Sequence, residues 1–288
     1  MLILVSFIWG ASFILMKRGL ESFNELQVGS LRIFFASLFL LPFLFKRLKK
    51  LKKRDVKSLL IVGFIGNLFP ALLFAKAQTQ INSSLAAMLN TIFPITALLV
   101  GSLFYKVKPK KNKILGTIIG LIGALGLVSG GNINILAENN IYSLYIIAAV
   151  ILYAFSLNEI KHKLIDLDGI TITIFSFAII GPVAGISLLF SDFSVAFSTP
   201  DALENLFYII LLAIGGSAIA VTLFYHLTDY VDVVFASLTT YIIPVFAIFW
   251  GLFDGEKISL LQIIFMSIIF IGVYLVNKNE KQSTNSDT

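Results

Sequence analysis

Residues 46–77 read KRLKKLKKRDVKSLLIVGFIGNLFPALLFAKA, a basic stretch followed by a long apolar one. The apolar part, residues 58–77, contains one charged side chain, that of Lys76. A helix needs roughly 20 mostly apolar residues to cross the hydrocarbon core of a bilayer, and this part has that length. Short loops rich in Lys and Arg are retained on the cytoplasmic side. The stretch therefore predicts a membrane-spanning helix that starts at the cytoplasmic face.

The rest of the chain has the same character. Of its 288 residues, 58% are hydrophobic and 13% are charged, and the mean hydropathy is +0.93. A soluble domain carries about twice that share of charge, so lipid must surround most of this surface. The runs are too long for barrel strands and lack their strict alternation. We therefore predict an all-α polytopic membrane protein with ten spans, at about 1–19, 27–45, 58–77, 81–104, 114–130, 142–159, 169–190, 204–225, 231–253 and 258–276.

The distribution of basic residues orients these spans. With the N-terminus inside, seventeen Lys and Arg residues fall on the cytoplasmic side and four fall outside, namely Lys17, Arg18, Lys76 and Lys257. Such a bias in short loops predicts that both termini are cytoplasmic and that the protein lies in the inner (plasma) membrane. The loop after the first span is the one that disagrees. Because the net charge of +6 belongs to these loops, we predict a lipid partner and no nucleic acid.

Several classes of function lack the residues they need. Cysteine is absent and histidine occurs twice, as His162 and His226, so we predict no metal site and no cofactor. No nucleotide-binding loop motif occurs, which argues against an ATPase. The apolar run that starts at Met1 ends at Lys17-Arg18, and we interpret it as a retained first helix rather than a signal peptide.

An internal repeat divides the chain. Sliding the sequence by 150 residues aligns spans 3 and 4 with spans 8 and 9 without a gap, so that glycines and prolines coincide. The informative pairs are Gly66 with Gly216, Pro94 with Pro244, and Gly101 with Gly251. Two halves of five spans have opposite orientations in the membrane, an arrangement typical of secondary transporters. We predict a first repeat over 1–130, a second over 142–276, and a disordered cytoplasmic tail over 277–288.

Several motifs then resemble a known family. Residues 9–13 (WGASF) with Lys17 resemble the first-helix signature of the drug/metabolite transporter superfamily, EamA type. Arg32 with Phe35-Ala36 and residues 41–43 (LPF) are similar to that family's second helix. Residues 255–257 (GEK) resemble its turn before the last helix, although Tyr105-Lys106-Val107 stands at the matching place of the first half. The resemblance implies ten helices, a central cavity and, for many members, export of amino acids or other metabolites.

The paired prolines suggest a substrate site. A proline removes its own N–H and frees the carbonyl four residues earlier, here those of Asn90 and Thr240. Free carbonyls at mid-bilayer must be buried in protein or face water. Thr91 and Tyr241 follow at the next positions. The alternatives are a substrate site between spans 4 and 9 or two kinks healed by local side chains.

Other polar residues within spans are candidates for the cavity. Trp9 and Ser12 lie on span 1, Tyr153 and Asn158 on span 6, and Asn67 on span 3. Interface anchoring and interhelical hydrogen bonding are the alternative roles for such residues. We expect the cavity to be formed mainly by spans 1, 3, 4, 6, 8 and 9, with apolar walls and no Lys or Arg near mid-bilayer.

For two titratable residues, one interpretation is a role for the side-chain charge in transport. Arg32 lies early in span 2, where a charge is usually functional or paired. Its favoured reading is structural, by snorkelling outward or by pairing with Glu21 or Glu25. His226 could serve proton coupling, although its place at the inner end of span 8 favours an ordinary interfacial histidine.

Span 5 contains two glycines four residues apart, Gly116 and Gly120. Gly116 and Gly120 allow close helix packing, within the bundle or in a homodimer.

A membrane enzyme is disfavoured because Ser217 and His226 lie roughly 13 Å apart along one helix. No segment of the sequence resembles a selectivity filter, which argues against a channel. We predict a non-enzymatic secondary transporter of small metabolites, an exporter of amino acids or related partly apolar solutes by alternating access, with a polytopic membrane enzyme or channel as the alternative.

Overall fold

The computed structural model describes residues 1–81, 83–129, 140–253 and 260–277. Within these ranges the regular structure is helical, and six helices are long and apolar enough to cross a membrane. They are Leu2–Leu20, Glu25–Lys50, Lys53–Gln78, Ile141–Lys163, Gly169–Leu189 and Ala202–Leu227. Shorter apolar helices are Phe93–Phe104, Val233–Phe246 and Ile263–Val276. The chain is thus an all-helical polytopic membrane protein. The predicted tail beyond residue 277 and the turn at 255–257 lie outside the described residues.

The helical elements follow one another with short connections. In chain order they are α1 (Leu2–Leu20), α2 (Glu25–Leu44), α3 (Val56–Gly63), α4 (Phe69–Gln78), α5 (Ser83–Asn90), α6 (Phe93–Phe104), α7 (Lys111–Ser129), α8 (Asn140–Lys163), α9 (Gly169–Leu189), α10 (Ser194–Phe197), α11 (Ala202–Leu211), α12 (Ala220–Leu227), α13 (Val233–Ser237), α14 (Thr239–Phe253) and α15 (Leu260–Asn277). Two short 3₁₀ helices, Phe45–Lys50 and Lys53–Asp55, form most of the basic stretch that follows α2.

Two of the long helices contain a π-helical segment at their centre. Phe64–Leu68 joins α3 to α4, and Leu212–Ile219 joins α11 to α12. The two segments occupy the places that the 150-residue offset pairs in the sequence. π-Helical turns occur often at functional sites because they displace backbone groups from the regular hydrogen-bond ladder.

The fourth and ninth spans are both interrupted, but only the first break lies at a proline. The fourth span is divided into α5 and α6, and Pro94 lies in the first turn of α6. There its missing N–H removes no helical hydrogen bond. The ninth span divides into α13 and α14, with Pro244 inside α14. The continuity predicted over 81–104 and 231–253 is therefore wrong, and the kink predicted at Pro94 is a helix break, whereas Pro244 does lie inside a helix.

The connecting loops lie on two faces of the bundle. On the first, which we call the basic face, Arg47 and Lys50 bind Asp168, and Lys52 and Arg54 bind Asp166. Lys113 also pairs with Asp232 there.

The opposite face is tied by uncharged and charged contacts between other loops. Ser22 accepts hydrogen bonds from Thr199 and Asn205, and Lys76 pairs with Glu25. Each of these contacts joins loops that the alternation of spans assigns to the same side of the membrane.

Asp168 anchors the start of α9 on the basic face. Its carboxylate accepts a hydrogen bond from the Thr171 backbone N–H at 2.9 Å, which caps the helix. Burial raises the pKa of this carboxyl, but the bonds from Lys50, Thr171 and the Arg47 charge outweigh burial and hold the pKa well below its usual range. The ion pairs thus bind the loop after α2 to the first turn of α9.

The glycines of α7 are used inside the chain. A Cβ built on Gly116 would lie 2.8 Å from the Gly272 carbonyl oxygen, and one on Gly272 would lie 2.5 Å from the Gly120 backbone nitrogen. The backbones of α7 and α15 therefore touch, and packing within the bundle occupies this glycine face.

Candidate functional site

A cavity of about 100 Å³ lies at the centre of the bundle. Its lining comes from α1, α2, the two helices with π-helical segments, both parts of the fourth span, α8 and α14. The predicted set of spans is found, with α2 added by Arg32 and Ile33. A cavity of this size has room for several water molecules or a small solute.

Six of the nine predicted substrate contacts line this cavity. They are Trp9, Ser12, Asn67, Asn90, Tyr153 and Thr240. The structure therefore brings together side chains that lie more than 200 residues apart in the sequence. Arg32, predicted with a charge role, lies on the same wall.

Tyr241 is buried away from the cavity. Its hydroxyl donates to the Thr117 carbonyl at 2.7 Å, and its ring packs on Gly120 of α7. This side chain therefore holds α14 against α7, although its neighbour Thr240 lines the cavity.

Asn158 and Thr91 are also buried outside the cavity lining. The Asn158 amide donates to the carbonyls of Ala97 and Ala154, and Thr91 is fully buried. The sequence repeat could not separate such packing residues from cavity residues, because adjacent positions of a helix face different sides.

Displaced backbone carbonyls of the π-helical helices are held by side chains. The Asn67 amide donates to the Val62 carbonyl at 2.9 Å and to the Tyr225 hydroxyl at 3.0 Å. The Trp9 indole N–H donates to the Gly216 carbonyl at 2.9 Å. Trp9 is therefore fixed by a contact between the first and eighth spans.

Paired glycines let serines approach the two π-helical segments. A Cβ on Gly66 would overlap the Ser156 hydroxyl, and a Cβ on Gly216 would lie 2.6 Å from the Ser12 hydroxyl. Each glycine thus admits a serine from the other half of the chain, because a larger residue would collide with it. Ser12 and Ser156 both line the cavity.

Arg32 lies on the wall of the cavity. Its Nε donates to the Ser217 hydroxyl at 2.6 Å. Glu21 pairs with Arg18 and Glu25 pairs with Lys76, so neither predicted partner binds Arg32. Arg32 thus adds a basic side chain to a wall that was expected to be apolar. The predicted second span begins two residues after the observed start of α2, so the sequence predicts a position for Arg32 closer to the end of the helix than it has.

Aromatic rings form one side of the cavity. The Phe74 ring lies 6.1 Å from Phe13 and 6.0 Å from Tyr153, and Phe93 lies 6.1 Å from Tyr153. The Trp9 ring lies 5.1 Å from Phe224 on another side. Pockets of this kind use apolar walls for affinity and a few polar groups for orientation.

Several lining residues escaped the sequence reasoning. Ser217 is the main one, and its signal was present because the 150-residue offset places it opposite Asn67. Tyr225 and Ser156 also line the cavity. Nothing in their local sequence distinguishes them from other polar residues of apolar helices.

Titratable groups near the basic face lie outside the cavity. His226 Nδ1 lies 2.7 Å from the Asp229 carboxylate, which also accepts from the Gly169 backbone N–H. Glu159 is buried and accepts hydrogen bonds from Ser58 at 2.6 Å and Tyr105 at 2.7 Å. Among the described residues, no cluster of three His, Asp or Glu side chains could hold a metal ion.

The sequence matches the EamA-like transporter family twice, over residues 1–129 and 140–278. The chain belongs to this family. It is therefore a membrane-embedded transporter of the EamA type, and the predicted superfamily is confirmed.

Named relatives agree with this family membership. The chain is 28% identical over 280 residues to the "Uncharacterized inner membrane transporter YedA" of Escherichia coli K12, covering 93% of this chain and 87% of the relative. It is 24% identical over 290 residues to an "Uncharacterized transporter" of Archaeoglobus fulgidus, covering 98% of each. A crystal structure with 14% identity covers 94% of this chain and 96% of that one with a TM-score of 0.67, which supports the fold alone.

Proposed function

We propose that this EamA-type protein is a secondary transporter that carries small, partly apolar metabolites, such as amino acids, across the inner membrane by alternating access. The observation that carries the proposal is the central cavity, which both matched stretches line with polar groups at paired positions, Asn67 and Ser217. A binding site shared by two halves is what a rocking mechanism requires, because each arrangement of the halves exposes it to one side.

The proposal includes the arrangement in the membrane. Two inverted repeats of five spans, over 1–130 and 142–276, would place both termini in the cytoplasm. Two features support the pairing of the halves: the π-helical segments at equivalent places, and the glycines Gly66 and Gly216 that each admit a serine from the other half. We assign the direction as export, because many members of the family export their substrates.

Counterflow in proteoliposomes tests the proposal. Purified protein is reconstituted with a high internal concentration of one unlabelled amino acid or related carboxylic acid, and uptake of the labelled compound is followed. A transporter gives a transient, saturable accumulation. A channel, the alternative reading, lets the label equilibrate without overshoot, and a membrane enzyme would convert it.

Variants locate the pathway in the same assay. Asn90→Ala/Thr240→Ala removes two polar groups of the cavity wall. Thr96→Ala/Thr222→Ala is the matched control, because those hydroxyls bind carbonyls of their own helices and do not line the cavity. We expect the first double variant to lose counterflow and the control to keep it. Equal activity of the two would remove the cavity from the transport pathway.

A further inference from the structure

We propose that the cavity binds its solute through a carboxylate held by Arg32, so that the preferred substrates are small monoanionic carboxylic acids with an apolar body. This inference rests on the proposed function, since it names the chemistry of the solute that the same cavity carries. Among the partly apolar metabolites of that proposal it selects those whose net charge is −1 and disfavours zwitterionic amino acids.

The charge of Arg32 is not neutralised by the described protein. Arg32 is the cationic side chain among the described residues that line the cavity, and no carboxylate of the described ranges forms an ion pair with it. Its bond to Ser217 uses Nε and a neutral hydroxyl. A charge within a membrane-spanning segment is expensive and usually marks a substrate or ion pathway.

The position of Arg32 suits recognition of a carboxylate. It is the eighth residue of α2, about 11 Å along the helix from its first residue, and its side chain reaches the central cavity. A guanidinium carries five N–H donors in a planar fork that matches a carboxylate with two parallel hydrogen bonds. The bond from Nε to Ser217 orients the fork. No hydrogen bond described for Arg32 uses either of its two terminal nitrogens.

The rest of the wall selects against other charges. No Asp or Glu is among the described residues that line the cavity, so an ammonium group would find only neutral acceptors there. The same wall carries the rings of Phe13, Phe74, Phe93 and Tyr153, which suit an alkyl or aromatic body. A single arginine in a cavity of about 100 Å³ fits one carboxylate better than a dianion such as a phosphate ester.

Trp9 supplies a direct readout of binding. The chain has two tryptophans, Trp9 on the cavity wall and Trp250, so a Trp250→Phe background leaves fluorescence from the cavity alone. The probes are 3-phenylpropionate, its amide 3-phenylpropionamide, and the zwitterion L-phenylalanine, together with isovalerate and isovaleramide as a smaller pair. All are titrated into detergent-solubilised protein at pH 7.

The acids should bind at least tenfold more tightly than the amides, and 3-phenylpropionate should bind more tightly than L-phenylalanine. Arg32→Gln should abolish the preference for the acid, and Arg32→Lys should keep only part of it, because an ammonium cannot make the paired contact. Lys76→Gln is the matched control, since Lys76 pairs with Glu25 away from the cavity. It should leave the preference unchanged.

Three results would overturn the inference: equal affinities of acid and amide, a preference that survives Arg32→Gln, or no acid bound. A thermal unfolding curve accompanies each variant, and Ser217→Ala serves as a second variant if Arg32→Gln does not fold. Counterflow separates this inference from the proposed function. Exchange of neutral or zwitterionic solutes that ignores Arg32 would keep transport and reject the carboxylate site. Arg32-dependent binding without any exchange would keep the site and reject transport.

Discussion

The Nε of Arg32 donates a hydrogen bond of 2.6 Å to the Ser217 hydroxyl, and this bond links α2 to the π-helical segment between α11 and α12. It joins a cation of the first half to a polar position of the second half, on the wall of the central cavity. In the proposed rocking mechanism, a change in the relative position of the two halves would alter this contact.

Ser217→Ala tests whether this bond orients Arg32. Hydrogen bonds to charged groups contribute about 1.5–3 kcal/mol, so losing this one should weaken binding of 3-phenylpropionate about tenfold or more. Ser267→Ala is the control, because that hydroxyl bonds the Ile263 carbonyl on the exposed side of α15. Affinity is measured by Trp9 fluorescence. An unchanged affinity would mean that the guanidinium is positioned by other contacts.

Gly216→Ala tests the close approach of α1 to the π-helical segment. Its Cβ would lie 2.6 Å from the Ser12 hydroxyl, so we expect destabilisation of about 1–3 kcal/mol. The neighbouring Gly215→Ala is a matched control, since its nearest described atom, Ile8 Cγ2, lies 3.7 Å away. Thermal unfolding in detergent measures both.

The same clash predicts a rescue. Ser12→Ala removes the offending hydroxyl, and the Ser12 Cβ lies 3.6 Å from the built atom, so Gly216→Ala/Ser12→Ala should regain most of the lost stability. A double variant as unstable as Gly216→Ala alone would show that the backbone of the π-helical segment, rather than the serine, requires glycine.

Adjacent residues of α14 should have separate roles. Thr240 lines the cavity, whereas Tyr241 is fully buried against α7 and bonds the Thr117 carbonyl. Tyr241→Phe should lower the unfolding free energy by about 1 kcal/mol and leave transport kinetics unchanged. Thr240→Val should raise the transport KM with little effect on unfolding. The reverse assignment of effects would place Tyr241 in the pathway.

Asp168 predicts a defined pH dependence of stability. Its folded-state pKa lies below the unfolded value of about 3.9, so its contribution is fully present above that value and is lost as the pH falls through the folded-state pKa. Asp168→Asn keeps a capping side chain and removes the charge. The difference in Tm between wild type and Asp168→Asn should be constant from about pH 5 to 7 and should shrink below about pH 4. A difference that persists unchanged into acid would exclude the ion pairs as its cause.

Cysteine labelling tests the orientation. The chain has no native cysteine, so single cysteines report without background. Lys49→Cys is exposed on the basic face, and Asp201→Cys is exposed on the opposite face. In intact cells a membrane-impermeant maleimide should label Asp201→Cys at once and Lys49→Cys only after permeabilisation. Labelling of Lys49→Cys in intact cells would invert the proposed topology.

Length, hydropathy and charge were sufficient to predict an all-helical membrane protein and the bounds of most of its helices. They failed at the fourth span, because a proline in an apolar run predicts a kink and a helix break equally well, and at the ninth, where the break at Leu238 has no proline to signal it. The π-helical segments also escaped prediction. At the second segment the Gly216 carbonyl accepts from Trp9, a residue from a distant part of the chain, and no local sequence pattern records that contact.

The sequence predicts which helices line the cavity but not which side of each helix faces it. Thr240 and Tyr241 were indistinguishable in sequence, yet one faces the cavity and the other α7. Arg32 stands out in the sequence as a charge within a span, but its distance from the helix end depends on where α2 starts. Asn24 sets that start, because its side chain accepts a hydrogen bond from the Gln27 backbone N–H. Its contact with Ser217 is a tertiary relationship, so only the structure could identify it.

A cysteine at Ala71 tests most directly whether the cavity is the path of the solute. Ala71 lines the cavity, whereas Leu38 is exposed on the outside of α2. Ala71→Cys and Leu38→Cys are reconstituted, treated with a small thiosulfonate reagent, and assayed for counterflow of 3-phenylpropionate. We predict that modification abolishes exchange in Ala71→Cys, that excess substrate protects it, and that Leu38→Cys is unaffected. Full modification of Ala71→Cys with undiminished exchange would contradict the account.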